Sequence, residues 1–401
     1  MLDEGVKGNP ILQHEFAKFI ESYSLKSSVA VAVSGGGDSM ALVLLMHEWA
    51  SAREIKVIAL TVDHQLRPES ALEASQVHAW LTERGIEHHT LTWNHEKVNS
   101  AIQKKAREAR YQLLLKWCRE HKVNILMTAH HLEDQWETFM MRLSKGSGLK
   151  GLCCIQPCLV EGDLKVIRPF LTISSDRLKK TLERFSQDFI QDPSNLNTQF
   201  ERIRWRHLLP ILKKEGLTAD HVGLTIERFR LADDYIEQQV KIAFSNIIMS
   251  SSDLIRNSSI CGKIPQKNTL DRHASLAMTA DRSRHCEEQS NVAIQNSDFW
   301  SLNLVVTGVM SEKNLIKLES FKQLHPEIAY RILTKLLLEI GGHPYPLPYK
   351  SLKNLYYKIV SPDFIGATGG GCYLKKVKGG LIEVRKEQRK VKNANSRSYS
   401  S

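Results

Sequence analysis

The sequence predicts an α/β protein in which helices cover both faces of a parallel sheet. Two short apolar runs, 29–33 and 56–62, are rich in β-branched residues and lack polar alternation, as expected of strands buried on both sides. A helical pattern, MALVLLMHEWA, lies between them. Strands that alternate with helices favour a parallel sheet with right-handed crossovers. Ligands of such sheets bind at the carboxyl ends of the strands.

Two further strands are predicted at 86–93 and 124–129, on either side of a helical stretch at 98–120. The short apolar runs typical of strands end at about Phe170, and the spacing of apolar residues predicts helices over 174–245. Near the C-terminus, HPEIAYRILTKLLLEIGG predicts an amphipathic helix with a glycine stop, and the residues that follow alternate like a small hairpin.

These patterns predict three domains. An N-terminal sheet domain covers 1–185, a helical linker domain covers 186–300, and a small α+β domain covers 301–401. Within the linker, residues 247–297 are polar and aperiodic, so we expect a disordered insertion there.

The charge of the chain favours a polyanionic partner. Lys and Arg number 55 against 44 Asp and Glu, which gives a net charge of +11. Basic residues are concentrated in the C-terminal tail, where a solvated basic surface and an RNA-binding surface are alternatives: Lys375, Lys376, Lys378, Arg385, Lys386, Arg389, Lys390 and Lys392.

Cysteine usage indicates a reducing cytoplasm. The seven cysteines are odd in number and unevenly spaced, unlike a disulfide framework. Cys154 and Cys158 have the spacing C-x-x-x-C without a second ligand pair, so free thiols are favoured over a zinc site. We expect no membrane span and no secretory signal, because no apolar stretch approaches 20 residues and the N-terminus lacks a basic start followed by an apolar run.

A glycine-rich turn follows the first predicted strand and precedes a helix. Glycines let the backbone approach phosphate oxygens, and the free N–H groups of a helix start favour an anion. The turn lacks the Lys of a Walker loop and the spacing of a dinucleotide fingerprint. A turn in which Asp38 or Ser39 only caps the helix is the alternative. The candidate phosphate-binding residues are Ser34, Gly35, Gly36, Gly37, Asp38 and Ser39.

A second polar group lies in the segment 128–152. His130 and Asp134 are four residues apart, and Glu137 follows three residues later. On a helix that begins near Leu132 the two carboxylates share a face, where they could bind Mg²⁺ or hold an amine. Surface residues matched to the helix dipole are the alternative.

Two weaker signals accompany this group. Arg107, Arg110 and Tyr111 lie on the preceding predicted helix, where guanidinium groups suit a phosphate but an exposed helical face explains them equally well. Asp63 and His64 end the second strand, in a segment that a polar turn would also explain.

In order, these segments resemble the successive motifs of the tRNA(Ile)-lysidine synthetase family, within the N-type ATP pyrophosphatase or PP-loop superfamily. The stretch AHHLEDQWET followed by RLSKGSGLKGL is similar to this family in particular. The matching segments are SGGGDS at 34–39, VDHQLRPES at 62–70, AREARY at 106–111, AHHLEDQWETFMMRLSKGSGLKGL at 129–152, IRPFL at 167–171, DPSN at 192–195, RIRWRHLLP at 202–210 and GGGCYL at 369–374.

The resemblance implies a Rossmann-like sheet domain of the adenine nucleotide alpha hydrolase type, and a ligase. In that family the wobble cytidine of a CAU anticodon in tRNA(Ile) attacks ATP, pyrophosphate leaves, and the ε-amine of free L-lysine displaces AMP to form lysidine. The C-terminal domain would then bind tRNA, and the chain would form a homodimer.

The resemblance also implies roles for residues. The segment 34–39 would bind ATP, with Asp38 holding Mg²⁺ and pyrophosphate. Arg110 and His130 would stabilise the charge that develops during adenylation. Asp134 and Glu137 would recognise the lysine ammonium, and one of them would assist its deprotonation.

Two rival functions use the same motifs. A PP-loop thiolase would activate a tRNA base with the same loop and would use Cys153, Cys154 and Cys158. A tRNA-binding module with a vestigial nucleotide site would carry out no chemistry.

Two features depart from the family pattern, namely the insertion at 247–297 and Trp136, which stands where a small residue is common.

Overall fold

The computed structural model describes residues 8–23, 25, 27–95, 102–191, 198–248 and 314–387. The predicted insertion from residue 249 onward, the DPSN segment and the basic residues of the tail beyond residue 387 lie outside these ranges. The chain divides into two compact units, with the division after Asp233. The domain boundaries at 185 and 300 stay a prediction.

A six-stranded sheet forms the centre of the first unit, in the order β3-β2-β1-β4-β6-β5. Neighbouring strands pair in parallel except β5, which pairs antiparallel with β6. The strands are β1 (Ser28–Ala32), β2 (Lys56–Asp63), β3 (Glu87–Thr92), β4 (Ile125–Met127), β5 (Cys158–Glu161) and β6 (Leu164–Ile167). The first four confirm the predicted strands. The hairpin of β5 and β6 was not predicted, because its strands are only four residues long and carry charged residues.

The first unit has nine helices among its described residues, the last of which continues past Asp233. They are α1 (Gln13–Ile20), α2 (Gly37–Ser51), α3 (Ser70–Glu83), α4 (Ile102–Glu120), α5 (Leu132–Ser144), α6 (Leu149–Leu152), α7 (Ser175–Arg184), α8 (Glu201–Lys214) and α9 (Ala219–Ile247).

Alternate residues of β1 point to opposite faces of the sheet, and helices cover both faces. Val29 and Val31 pack in a core formed with α1, α2, α3 and α7. Ala30 packs on the other side in a core that includes Leu114 and Trp117 of α4. The predicted α/β class with helices on both faces is therefore confirmed.

A separate small core joins α5 to the helices that follow. Trp136 and Phe139 of α5 pack with Val222 and Ile226 of α9. Trp136 is fully buried, and its ring meets Trp205 of α8 edge to face with centroids 6.4 Å apart. The large residue at position 136 thus fills the space between α5 and α8.

The second unit contains a small antiparallel sheet in the order β7-β10-β9-β8. Gly342, at φ 68°, ends the amphipathic helix α11 as the sequence predicts, and β9 and β10 form the predicted hairpin. The elements are β7 (Asn314–Lys317), α10 (Leu318–Lys322), α11 (Pro326–Gly341), α12 (Tyr349–Val360), β8 (Gly366–Gly369), β9 (Cys372–Val377) and β10 (Leu381–Lys386). Among the described residues, every helix is too short or too polar to cross a membrane.

Candidate active site

The glycine loop joins β1 to α2 at the carboxyl edge of the sheet. Gly35 has a φ of +81°. A Cβ atom at this position would lie 2.7 Å from Cδ1 of Ile190 and 2.8 Å from Cγ2 of Val77. The Gly35 carbonyl also accepts a 2.9 Å hydrogen bond from the Ile190 N–H. Both the conformation and the packing therefore require glycine at position 35.

The start of α2 offers main-chain donors to an anion. Gly36 is the N-cap, and no described side chain makes a capping hydrogen bond there. The first N–H groups of a helix lack intrahelical acceptors and carry the positive end of its dipole. The Ser39 hydroxyl is used inside the loop, because it accepts from the Ser34 N–H at 3.1 Å and donates to the Gly36 carbonyl at 2.9 Å. Ser39 therefore holds the shape of the loop.

Asp38, in the first turn of α2, faces the start of α5. Its Oδ2 atom lies 3.5 Å from Nε2 of His131, and its side chain is 39% exposed. The same Nε2 lies 3.6 Å from Oδ2 of Asp134, and Nδ1 of His131 lies 2.9 Å from Oε2 of Glu133. One imidazole therefore contacts three carboxylates that belong to two helix starts.

The charges of neighbouring side chains and burial together determine the protonation states of His131, Asp134 and Asp38. Although burial opposes its charged form, Asp134, Glu133 and Asp38 raise the pKa of His131 to about 9, so the imidazole is a cation at neutral pH. Burial works against the charge of Asp134 as well, but His131 and Arg202 lower its pKa below the ordinary value. Burial raises the pKa of Asp38, and His131 offsets this only in part.

The helix α5 begins at Leu132 as predicted, and Asp134 stabilises its start. The Asp134 carboxylate accepts a 3.1 Å hydrogen bond from the His131 N–H, as the third residue of a capping box does. Its other oxygen lies 3.5 Å from an Nη atom of Arg202. Asp134 and Glu137 therefore share a helix face and a common partner.

Glu137 is more deeply enclosed than Asp134. Its side chain is 0% exposed, and its two oxygens lie 2.6 Å from Nε of Arg202 and 2.7 Å from Nε of Arg206. These arginines are four residues apart on α8, so one face of that helix presents both to α5. Burial opposes the charge of both guanidinium groups, but Asp134 and Glu137 together raise the pKa of Arg202, and Glu137 raises that of Arg206 by hydrogen bonding and charge.

Arg110 lies on α4 as predicted. Desolvation by the surrounding protein, followed by the charge of Arg107, lowers the pKa of Arg110, although its side chain retains exposed surface. A cation that is both crowded by protein and accessible to solvent is expected in the wall of a cleft.

His130 also lies close to several arginine side chains. Its Nδ1 atom lies 3.0 Å from Oγ1 of Thr128. Burial lowers the pKa of His130 well below its ordinary value; Asp134 opposes this shift, and Arg168, Arg107 and Arg202 reinforce it. The imidazole is therefore neutral beside several guanidinium groups, and these positive charges suit an anionic ligand.

Asp63 and His64 have different surroundings. The Asp63 carboxylate accepts hydrogen bonds from the Gln65 N–H at 2.9 Å and from the Ser70 hydroxyl at 2.7 Å. It therefore holds the turn between β2 and α3, as the polar-turn interpretation predicts. Burial and the charge of Arg110 lower the pKa of His64 to about 4.

The cysteines near α6 are poorly suited to act as nucleophiles. Cys153 and Cys154 are buried, and Cys158 is half-buried. Burial raises the pKa of Cys154 to about 12 and that of Cys158 above its ordinary value. Such thiols stay protonated at neutral pH and are weak nucleophiles. In the part of the chain that the structure describes, no group of three or more His, Cys, Asp or Glu side chains could hold a metal ion.

Four residues of the site were not among the sequence candidates, namely His131, Glu133, Arg202 and Arg206. His131 was overlooked because His130 precedes it in the same motif, although its place directly before the helix is a signal for an N-cap. The spacing of the two arginines by four residues in RIRWRHLLP was a signal for one basic helix face.

A glycine cradle at the edge of a parallel sheet, followed by a helix with an acid in its first turn, defines a nucleotide-binding domain. The PP-loop domain family matches residues 9–212, about half of the 401 residues. The first unit is therefore a PP-loop domain, the class of ATP-binding domain that the sequence resembles.

Curated relatives specify the family further. The tRNA(Ile)-lysidine synthase of Orientia tsutsugamushi is 31% identical over 347 residues, which cover 86% of this chain and 67% of the relative. That of Wolbachia pipientis is 29% identical over 366 residues, covering 90% and 72% respectively. That of a Methylobacterium species is 43% identical over 202 residues, covering 50% and 58%. The chain belongs to the tRNA(Ile)-lysidine synthase family.

A solved structure is also similar to this chain. A U34-tRNA thiolase from Methanococcus maripaludis has a TM-score of 0.47 and 20% identity, and the match covers 54% of this chain and 77% of that one. This likeness is too low to decide between activities.

Proposed function

We propose that this chain is an ATP-dependent carbon–nitrogen ligase that joins free L-lysine to carbon-2 of the wobble cytidine in the CAU anticodon of tRNA(Ile). The products are lysidine, AMP and pyrophosphate, and the tRNA then reads AUA instead of AUG. The observation that carries the proposal is the contact of His131 with both Asp38 of the loop and Asp134 of α5. The loop and the second motif thereby form one site, as a reaction of ATP with a second substrate requires.

In the first step the cytidine carbon-2 oxygen attacks the α-phosphate of ATP and pyrophosphate leaves. The N–H groups at the start of α2 would bind the leaving group. The Asp38 carboxylate fits Mg²⁺, because it is a partly exposed hard oxygen donor beside the phosphate cradle, and Mg²⁺ favours one or two carboxylates together with substrate phosphates. When bound, the ion would offset phosphate charge.

Arg110 and His130 would stabilise the adenylated intermediate. Arg110 is a cation with exposed surface, and neutral His130 can hydrogen-bond to a phosphate oxygen without adding charge. Groups held in place before the reaction stabilise developing charge without reorganising at the moment of transfer.

In the second step the lysine ε-ammonium gives up a proton to water, the resulting amine attacks carbon-2, and the bond between carbon-2 and the AMP oxygen breaks as AMP leaves. Asp134 would bind the incoming ammonium, because its carboxylate stays charged and its side chain is 15% exposed. A carboxylate with a lowered pKa is a poor base, so its role would be binding rather than deprotonation. Glu137 would act indirectly by holding Arg202 and Arg206, since both of its oxygens are occupied by them.

The second unit would contact the tRNA. Its β9–β10 hairpin exposes basic residues that suit phosphate contacts, namely Lys375, Lys376, Lys378, Arg385 and Lys386. The anticodon base would be reached in a loop, where unstacking costs little. We also propose a cytoplasmic location and self-association, which the family resemblance implies.

The test is incorporation of labelled lysine into a tRNA(Ile) transcript bearing CAU, with ATP and Mg²⁺. We expect label in RNA and release of AMP, and none when ATP is omitted or when the wobble cytidine is replaced by uridine. Absence of label from the complete reaction would reject the proposal.

Two further measurements separate the rival functions. Replacing Cys153, Cys154 and Cys158 by Ala should leave lysine incorporation unchanged, whereas a thiolase would lose activity. A tRNA-binding module without catalysis would give no tRNA-dependent exchange of pyrophosphate into ATP.

A further inference from the structure

A hydrogen-bond network connects the surface of the first unit to the end of β1. The Thr61 hydroxyl on β2 donates to the Val33 carbonyl at 2.8 Å, and Nε2 of His88 on β3 lies 2.8 Å from the same hydroxyl oxygen. Nδ1 of His88 in turn lies 3.0 Å from Nδ1 of His78 on α3. His78 is exposed, whereas His88 and Thr61 are buried. None of these three side chains has a role in the reaction proposed above.

Each hydrogen bond of this network has one possible direction. A main-chain carbonyl only accepts, so the single proton of the Thr61 hydroxyl is used on Val33, and its oxygen accepts from Nε2–H of His88. Burial, followed by the charges of His78 and His89, lowers the pKa of His88 to about 4, so its ring is neutral at pH 7 and its Nδ1 atom is an acceptor. Nδ1 of His78 therefore carries a proton and donates it to His88.

The network ends on the peptide group that opens the glycine loop. The Val33 carbonyl and the Ser34 N–H belong to one planar peptide group. Thr61 holds the carbonyl side of that plane, and the Ser39 hydroxyl accepts from its N–H side at 3.1 Å. Ser39 then donates to the carbonyl of Gly36, the N-cap of α2, at 2.9 Å. A rotation of this peptide plane would therefore release Ser39 and disturb the main chain that leads into α2.

We propose that Thr61 and His88 are positioning residues for ATP binding, because through the Val33 carbonyl they fix the peptide plane from which the glycine loop starts. Three consecutive glycines have no side chains to hold the shape of the loop, so it depends on polar contacts at its entry. Donors that are fixed in advance bind an anion without the cost of ordering the loop. The inference rests on ATP binding at this loop, which is part of the proposed function.

Calorimetric titration of ATP into the full chain tests the role of Thr61. Thr61→Val keeps the shape of the side chain but removes the hydroxyl, so the carbonyl and the His88 N–H both lose a partner, and we expect the Kd for ATP to rise about tenfold. Thr61→Ser restores the hydroxyl and should keep the Kd within about twofold of the wild type. In steady-state kinetics Thr61→Val should raise KM for ATP, while KM for lysine changes by less than about twofold.

Thr181 is the matched control for a purely structural effect. Its hydroxyl is also buried, accepts from the Ile11 N–H at 2.9 Å and donates to the Arg177 carbonyl at 2.8 Å. Thr181→Val should destabilise the fold as Thr61→Val does, but leave the Kd for ATP unchanged. Wild-type affinity in Thr61→Val, or an equal loss of affinity in both valine variants, would overturn the proposal alone. A wild-type chain that binds no ATP would overturn the proposed function as well.

His88→Phe gives a second test that leaves the Thr61 hydroxyl in place. Phenylalanine fills a similar volume without a donor, so we expect the Kd for ATP to rise about threefold. In the double variant with Thr61→Val the Kd should be no higher than in Thr61→Val alone, because His88 acts only through Thr61. Multiplication of the two effects would show that His88 acts by another route, and its positioning role would be wrong.

The ring nitrogens report the direction of the network without any change to Thr61. Proton–nitrogen correlation spectra of the histidine-labelled chain at pH 7 should show His88 protonated at Nε2 alone, and His88→Phe identifies its signals by their loss. A proton on Nδ1 of His88, in a neutral or a charged ring, would remove the acceptor for His78 and overturn the network.

Discussion

Nε2 of His131 lies 3.5 Å from Oδ2 of Asp38, and this contact joins the start of α5 to the glycine loop. Each residue belongs to the N-terminal end of a helix, where the macrodipole is positive and favours anions. Three carboxylates are therefore concentrated at one edge of the sheet, and His131 supplies a positive charge among them.

The first prediction concerns the pH dependence of stability. The folded-state pKa of His131 is about 9, above its ordinary value of 6.5, so its stabilisation is complete below about pH 6.5 and is lost as the pH rises through 9. We expect His131→Gln to lower the free energy of unfolding by about 3 kcal/mol at pH 6 and by progressively less toward pH 10. Urea denaturation of both proteins in metal-free buffer measures this difference in the free energy of unfolding at each pH. A difference that stays constant between pH 6 and 10, or an equal trend for His14→Gln at an exposed site on α1, would contradict the prediction.

The second prediction concerns Glu137. Glu137→Gln leaves two guanidinium groups without their counter-charge, so we expect a loss of about 3 kcal/mol in the free energy of unfolding. The control is Glu120→Gln, which removes an exposed pair with Lys116 and should cost less than about 0.5 kcal/mol. Similar losses for both variants would show that the enclosed pair contributes no more than a surface pair.

The third prediction separates the two chemical steps. Asp134→Asn keeps an oxygen that can cap α5 but removes the charge proposed to bind lysine. We expect kcat/KM for lysine to fall about 100-fold, while tRNA-dependent exchange of pyrophosphate into ATP changes by less than about threefold. Asp176→Asn, whose side chain is 81% exposed, is the control. Unchanged lysidine yield, or equal loss of both activities, would reject the role of Asp134.

The fourth prediction concerns Gly35. Gly35→Ala combines a strained conformation with contacts of 2.7 and 2.8 Å, so we expect a stability loss of about 2 to 4 kcal/mol and at least about tenfold weaker ATP binding. Gly85→Ala is a matched control, because φ there is +69° and no atom lies within 4 Å of the added Cβ. It should lose about 1 kcal/mol and bind ATP normally. Calorimetric titration with ATP measures the affinity, and equal ATP affinity in both variants would show that the loop tolerates a side chain.

Local patterns predicted the central part of the fold well. The strands β1 to β4 are short apolar runs, and burial on both faces selects such residues. The glycine stop at Gly342 and the start of α5 at Leu132 were also predictable, because helix termination and capping depend on residues close in sequence. The hairpin of β5 and β6 was missed, since pairing with β4 stabilises strands that are weak by themselves.

The sequence by itself determined the sheet, the glycine cradle and the motifs that identify the family, because each of these depends on residue type at short spacing. Only the tertiary structure decided which partners the acids have. Asp134 and Glu137 look equivalent in the sequence, but α8 brings Arg202 and Arg206 from more than 60 residues away, and only Glu137 is enclosed between both of these arginines. Contacts over such separations depend on how whole helices pack, and spacing within one segment carries no information about them.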